Sequence, residues 1–169
     1  MHFRIEQDFA GPLDAVENAF VDPALLDRIG DLPKLGRPEL LSQDKTADTV
    51  HQRVRYRFAG DLNSAARRVL DPTKLTWVED SLLERRNHRT TWTIVPDNYG
   101  SRLACSGTFT LQARGPQTTR RVAEGDVRVS FPLVGSRVER AIVSGLAEHA
   151  HLEVAVVDAW MAEQSGRTG

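Results

Sequence analysis

The hydrophobic positions of this chain follow two periods, and the switches between them predict its elements. Phe3, Ile5 and Phe9 alternate with Arg4, Glu6 and Asp8, the two-residue period of a strand with one buried face. Gly11-Pro12 ends that pattern, and Leu13, Val16 and Phe20 then recur at helical spacing. Proline is tolerated at such a start because the first turn of a helix leaves its N–H groups unpaired. Asp22 and Pro23 supply an N-cap and a first helical residue for a second short helix. Its apolar side is Leu25, Leu26 and Ile29, and Gly30 and Pro33 stop it.

Strands then follow in series. Residues 35–44 are a weak candidate and 48–59 a strong one, with Val50, Val54, Tyr56 and Phe58 on one face. His51, Arg53, Arg55 and Arg57 occupy the other, which reads as a solvated sheet face. Gly60 breaks the alternation, and Asp61-Leu62-Asn63-Ser64 offers caps for a short helix over 65–70, closed by Asp71-Pro72. Two further strands, 75–84 and 90–96, are joined by the basic turn Arg85-Arg86-Asn87-His88-Arg89, read as a solvated turn rather than an anion site. After the turn Asp97-Asn98-Tyr99-Gly100, residues 102–113 place Leu103, Cys105, Gly107, Phe109 and Leu111 on one side. Gly115-Pro116 turns the chain back into a last strand over 119–131.

The remainder is one long helix. At about 100° per residue, Val138, Ile142, Leu146, Val156, Val157 and Trp160 share one face, opposite Arg140, Ala147, His151 and Asp158. The pattern predicts an α+β chain in which antiparallel strands form a meander and the C-terminal helix covers its apolar face.

Composition narrows the function classes. Apolar residues are 40% and charged residues 27%, with a net charge of −1, so no field favours nucleic acid or an anionic membrane as partner. The single cysteine, Cys105, excludes an internal disulfide and fits a cytoplasmic setting. The opening residues carry no apolar targeting segment, and no run approaches the ~20 apolar residues of an integral membrane span. Residues 1–163 read as one domain, and the small polar residues 164–169 as a disordered tail.

The segment Val127-Arg128-Val129-Ser130-Phe131-Pro132-Leu133-Val134-Gly135-Ser136-Arg137-Val138-Glu139 resembles the last-strand-to-helix junction of the START-like, or SRPBCC, superfamily. The opening is similar to it as well: strand, Gly11-Pro12, helix, then Asp22-Pro23-Ala24-Leu25-Leu26. Within the superfamily the chain most resembles an uncharacterised, largely actinobacterial family of small stand-alone domains. The resemblance implies a helix-grip fold, in which a curved antiparallel sheet of about seven strands wraps a long C-terminal helix. Members of the superfamily carry lipids, sterols, quinones, plant hormones or polyketides, and a few catalyse cyclisation or dehydration. The 61–70 insert departs from the simplest pattern and is either a lid or a decoration.

Candidate chemistry lies between sheet and helix. His149 and Glu153 interrupt the apolar stripe of the helix, four residues apart. Either they pair with each other, a sheet residue or water, or they are polar points in an apolar cavity. Gly145, close to the same face, either permits close packing, leaves room for a ligand or marks a bend. Tyr56, Phe58, Trp77, Trp92, Phe109 and Phe131 are core or cavity wall, and with Ile142, Gly145, Leu146, His149 and Glu153 they are the candidate ligand-binding set. The spacing suggests neither a metal site nor a nucleophile: His151 points about 160° away from Glu153 around the helix. Cys105 reads as an inert buried thiol. No cofactor pattern is present.

The expected function is binding of a hydrophobic or amphipathic small molecule, a lipid or polyketide for example. The alternatives are a cyclase or dehydratase using the same cavity, and a protein-interaction module with a collapsed core and no ligand.

Overall fold

The computed structural model describes residues 1–62, 64–68, 70–100 and 102–167. Its strands are β1 (His2–Phe9), β2 (Glu39–Lys45), β3 (Thr49–Arg57), β4 (Thr76–Glu84), β5 (Arg89–Pro96), β6 (Leu103–Gly115) and β7 (Thr118–Val129). Its helices are α1 (Leu13–Phe20), α2 (Pro23–Ile29), α3 (Ser64–Arg67) and α4 (Gly135–Arg167). The strands form one antiparallel sheet in the order β1-β7-β6-β5-β4-β3-β2. Sequence neighbours pair from β2 to β7, through short connections except between β3 and β4, where the segment 58–75 carries α3, and β1 closes against β7. The architecture is the expected curved sheet around a long C-terminal helix, with two short helices after the first strand.

Those two helices carry the chain from one sheet edge, β1, to the other, β2. Asp22 caps α2 by accepting from the Ala24 N–H at 2.8 Å. Gln43 of β2 donates to the Val21 carbonyl at 2.7 Å, fixing the helix pair to that edge.

A glycine pair allows close approach in the middle of the sheet. Gly107 of β6 lies opposite Gly125 of β7, and Trp92 of β5 lies opposite Gly107 in the same row. A Cβ on Gly107 would sit 2.1 Å from the Glu124 carbonyl oxygen and 2.6 Å from the Trp92 ring. One on Gly125 would sit 2.6 Å from the Ser106 carbonyl oxygen. Without side chains here, the indole settles onto bare backbone.

The core is divided. At one end Phe9, Val16, Leu25, Val157, Trp160 and Met161 unite β1, α1, α2 and the C-terminal part of α4. At the other, Phe3, Trp92, Val127, Val129 and Val138 join the sheet to the first turn of α4. The long helix is therefore packed at both ends, against β1, β7, α1 and α2.

Several boundaries differ from the sequence expectation. β2 starts at Glu39, and Leu35 makes only an isolated bridge to Phe58. Gly36 still donates to the Arg57 carbonyl at 2.8 Å, and Pro38, with no N–H to give, delays the regular ladder. α3 covers Ser64–Arg67 rather than 65–70; Asn63 and Val69 of that insert lie outside the described residues. α4 continues through Gln164 to Arg167, inside the stretch read as a tail; Thr168 and Gly169 lie outside the described residues.

The basic turn after β4 is not merely solvated. Arg85 donates to Glu17 of α1 at 2.7 Å, and His88 Nδ1 lies 2.7 Å from the other oxygen of the same carboxylate. The Glu17 side chain is only 4% exposed, so the turn clamps α1 to the sheet through a charge that would be costly to bury alone.

Candidate functional site

Away from the β1–β7 side, α4 and the sheet stand apart. They enclose a cavity of about 660 Å3, so the interior is not collapsed. Its floor is the inner face of the strands, where the pleat brings every second residue inward. β3 contributes Gln52, Val54 and Tyr56, with Phe58 just beyond its end, and β4 contributes Trp77, Glu79, Ser81 and Leu83. Lys34, Leu62, Leu70 and Phe131 also line it, which brings residues of the 61–70 insert to the cavity.

On the β1–β7 side the polar groups satisfy one another. Arg121 of β7 lies opposite Gln7 of β1 and donates to its Oε1 from Nε at 2.8 Å and from Nη2 at 2.6 Å. The same Nη2 donates to Glu153 of α4, and Gln7 Nε2 donates to Glu153 at 3.0 Å and to the Ala150 carbonyl at 2.6 Å. The guanidinium also lies over Phe20 at 4.0 Å and Phe109 at 5.0 Å from the ring centroids. This knot ties α4 to the sheet.

On the β3–β4 side they do not. Gln52, Tyr56, Glu79 and Ser81 have no side-chain partner among the described residues. Their register groups them: Gln52 lies opposite Ser81, Val54 opposite Glu79, and Tyr56 opposite Trp77. Glu79 is thus diagonal to both Gln52 and Tyr56, within about 7–8 Å. Burial pushes the Glu79 carboxyl up to about 7; Arg121 opposes the rise and Glu153 adds to it. Burial, then the charges of Glu79 and Glu153, raises the Tyr56 phenol well above its usual range.

From α4, His149 enters the same space with its Nδ1 buried and unpartnered. Burial lowers its pKa below the ordinary value, with Glu153 working against the shift, so the neutral ring is favoured. Cys105 is buried and pushed up to about 12, chiefly by burial, which leaves the thiol protonated and inert.

The sequence profile of a family described as "protein of unknown function (DUF2505)" matches residues 4–161. The chain belongs to this family. No curated protein matches it by sequence. Among solved structures, the DUF2505 chain is similar to a protein of Thermus thermophilus at 16% identity and a TM-score of 0.70, covering 98% of this chain and 99% of that one. It is similar to the Zhui aromatase/cyclase of Streptomyces sp. R1128 at 15% identity and a TM-score of 0.63, covering 98% and 95%. It is also similar to norcoclaurine synthase of Thalictrum flavum at 14% identity and a TM-score of 0.67, covering 98% and 96%. At such identities the likeness establishes the fold, and this DUF2505 protein has the START-like helix-grip fold.

All eleven residues expected between sheet and helix line the cavity of the DUF2505 protein. Their roles divide. Tyr56 and Trp77 stack with centroids 6.0 Å apart, and Trp92 stacks on Phe109 at 5.6 Å. A Cβ on Gly145 would meet nothing within 4 Å, so this glycine leaves space and makes no close packing. Leu146 is 36% exposed and flanks the space. Glu153 and His149 do not hydrogen-bond to each other: Glu153 belongs to the Arg121 knot, and His149 Nδ1 has no hydrogen-bond partner among the described residues. Sequence reading passed over Gln7, Gln52, Glu79, Ser81 and Arg121. Strand parity held the signal: Arg121 is an even number of residues from the inward Val127 and Val129, and Glu79 and Ser81 share the parity of Trp77.

Among the described residues, no group of His, Cys, Asp and Glu is arranged to hold a metal, and no helix is long and apolar enough to cross a membrane.

Proposed function

We propose that this protein binds a hydrophobic or amphipathic small molecule between the sheet and α4. The observation that carries this reading is the cavity itself: about 660 Å3, walled mainly by apolar and aromatic side chains, with a few unpartnered polar groups converging on it. That size lies within the ~300–1,000 Å3 of small-molecule sites, and such sites combine apolar walls with sparse orienting groups. The solved structures of similar fold include an aromatase/cyclase and a synthase in complex with dopamine and hydroxybenzaldehyde, which supports the cavity as the working part of the fold.

The test is binding of a neutral lipophilic dye, with native mass spectrometry of the freshly purified protein for retained metabolites. Saturable binding is expected, and a bulky side chain in the open space beside α4, Gly145→Trp, is expected to weaken it at least about tenfold while the protein stays folded. Absence of dye binding and of any retained molecule would sink the reading.

A second reading, acid–base catalysis on the bound molecule, has one observation in its favour. Glu79 faces the cavity with a carboxyl pushed up to about 7, the range in which a carboxyl exchanges protons at neutral pH. A cyclase or dehydratase would use it beside Tyr56. Single-turnover assays with bound candidate substrates decide: conversion that falls at least about a hundredfold in Glu79→Gln supports catalysis, and binding without conversion rejects it.

A further inference from the structure

Among the described residues, the charged side chains that line the cavity are paired, with one exception. Glu17 is held by Arg85 and His88, Lys34 by Glu148, Asp61 by Arg67, and Glu153 by Arg121. Glu79 lines the same cavity with no ion-pair or hydrogen-bond partner among the described residues. It stands in a row of apolar residues, between Val54 and Ile94, that continues through Cys105 and Val127. Nothing in that row compensates a carboxylate, and burying one alone is expensive.

Its neighbours indicate what would compensate it. Trp77, two residues away on the same face of β4, stacks on Tyr56 with an interplanar angle of 20°. A carboxylate beside a pair of aromatic faces attracts an ammonium group twice, through its charge and through the ring quadrupoles. An anionic ligand would find the reverse: the guanidinium of Arg121 is already committed to Gln7 and Glu153.

We propose that the cavity selects an amphipathic amine, whose apolar body fills the space under α4 and whose ammonium group pairs with Glu79 beside the Tyr56–Trp77 stack. This rests on the cavity-binding reading above and adds the charge of the ligand's polar end. The upward displacement of the Glu79 carboxyl agrees with it, since a carboxyl awaiting a counter-charge holds its proton until one arrives. The titratable or charged groups that share the surroundings of Glu79 are Tyr56 from β3, Cys105 from β6, Arg121 from β7, and His149 and Glu153 from α4.

The experiment is displacement of Nile red, a neutral dye, by decylamine, decanol and decanoate, whose chains match. At about pH 8 decylamine is expected to bind at least about tenfold more tightly than decanoate. Glu79→Gln is expected to bring the two within about threefold. The wild-type protein supplies a second measurement that needs no variant. Between about pH 8.5 and 5.5 the amine stays protonated while Glu79 takes up its proton, so the preference for amine over alcohol shrinks. Equal or tighter binding of decanoate overturns the proposal, as does a preference that survives Glu79→Gln or is flat with pH. If the dye and all three ligands fail to bind, the cavity-binding reading fails with it. If dye and decanol bind without any preference for amine, only the amine assignment fails.

Discussion

Glu79 and Glu153 are both acidic residues facing the interior, and their surroundings give them opposite consequences. Glu153 is fixed by Arg121 and Gln7, and Glu79 has no such partners among the described residues. The sign of the pH effect follows from the displacement of the Glu79 carboxyl from 4.5 to about 7. Below 4.5 it is protonated in the folded and unfolded states alike. Between 4.5 and about 7 the folded protein keeps a proton that the unfolded chain has released, so stability falls as pH rises through this window. The loss is on the order of 3 kcal/mol, complete above the window. Glu79→Gln removes it. Urea unfolding of both proteins is expected to show the variant gaining on the wild type from about pH 5 to pH 8, with parallel curves refuting the displaced titration. At this scale the sequence was legible where aromatic and aliphatic residues declared the inner face. It was not legible at Glu79, Gln52 or Arg121, because a charged or amide residue in an alternating strand is ordinarily a solvent-facing one. Counting parity from Trp77 or Val127 places them inside, but only the cross-strand register brings Glu79 next to Tyr56 and Arg121 next to Gln7.

The elements were legible where period and punctuation agreed. α2 begins at Pro23 behind its Asp22 cap, as the residues dictate, and β3 to β7 follow the alternation to within a few residues. They were less legible where tertiary contacts decide. The Arg85–His88 turn docks on Glu17, sixty-eight residues earlier in sequence at its Arg85 end, and no local pattern announces that. Glycines show the same division. Gly107 and Gly145 both interrupt an element, yet one has backbone against its missing side chain and the other has open space. Gly107→Ala is therefore expected to destabilise by at least about 3 kcal/mol, because its Cβ meets backbone that cannot rotate away. Gly145→Ala is expected to stabilise by up to about 1 kcal/mol through helix propensity, since its Cβ meets nothing. Thermal unfolding of the two variants checks both signs together.

At the scale of the whole molecule, α4 spans the cavity as a beam supported at its ends. Val138 rests in one core cluster and Val157, Trp160 and Met161 in the other. Between them, Gly145, Leu146 and His149 face the cavity, and contact with the sheet is concentrated in the Glu153 knot. The fold is thus complete without filling its interior, which is why the apolar stripe of the helix reads in sequence as an ordinary packing face and gives no warning of a cavity beneath it. A molecule entering the cavity adds contacts between α4 and β3–β5, and it binds the folded state alone. At about a hundredfold excess over its dissociation constant such a ligand stabilises by about 2.7 kcal/mol, which for a chain of this length raises the melting temperature by roughly 5–10 °C. The rise is expected to grow with the logarithm of ligand concentration. It is expected to be accompanied by slower amide exchange in the middle of α4 and in β3 and β4, with little change in β1 and β7, where the helix already sits on the sheet. Protection confined instead to β1 and β7 would place the ligand outside the cavity.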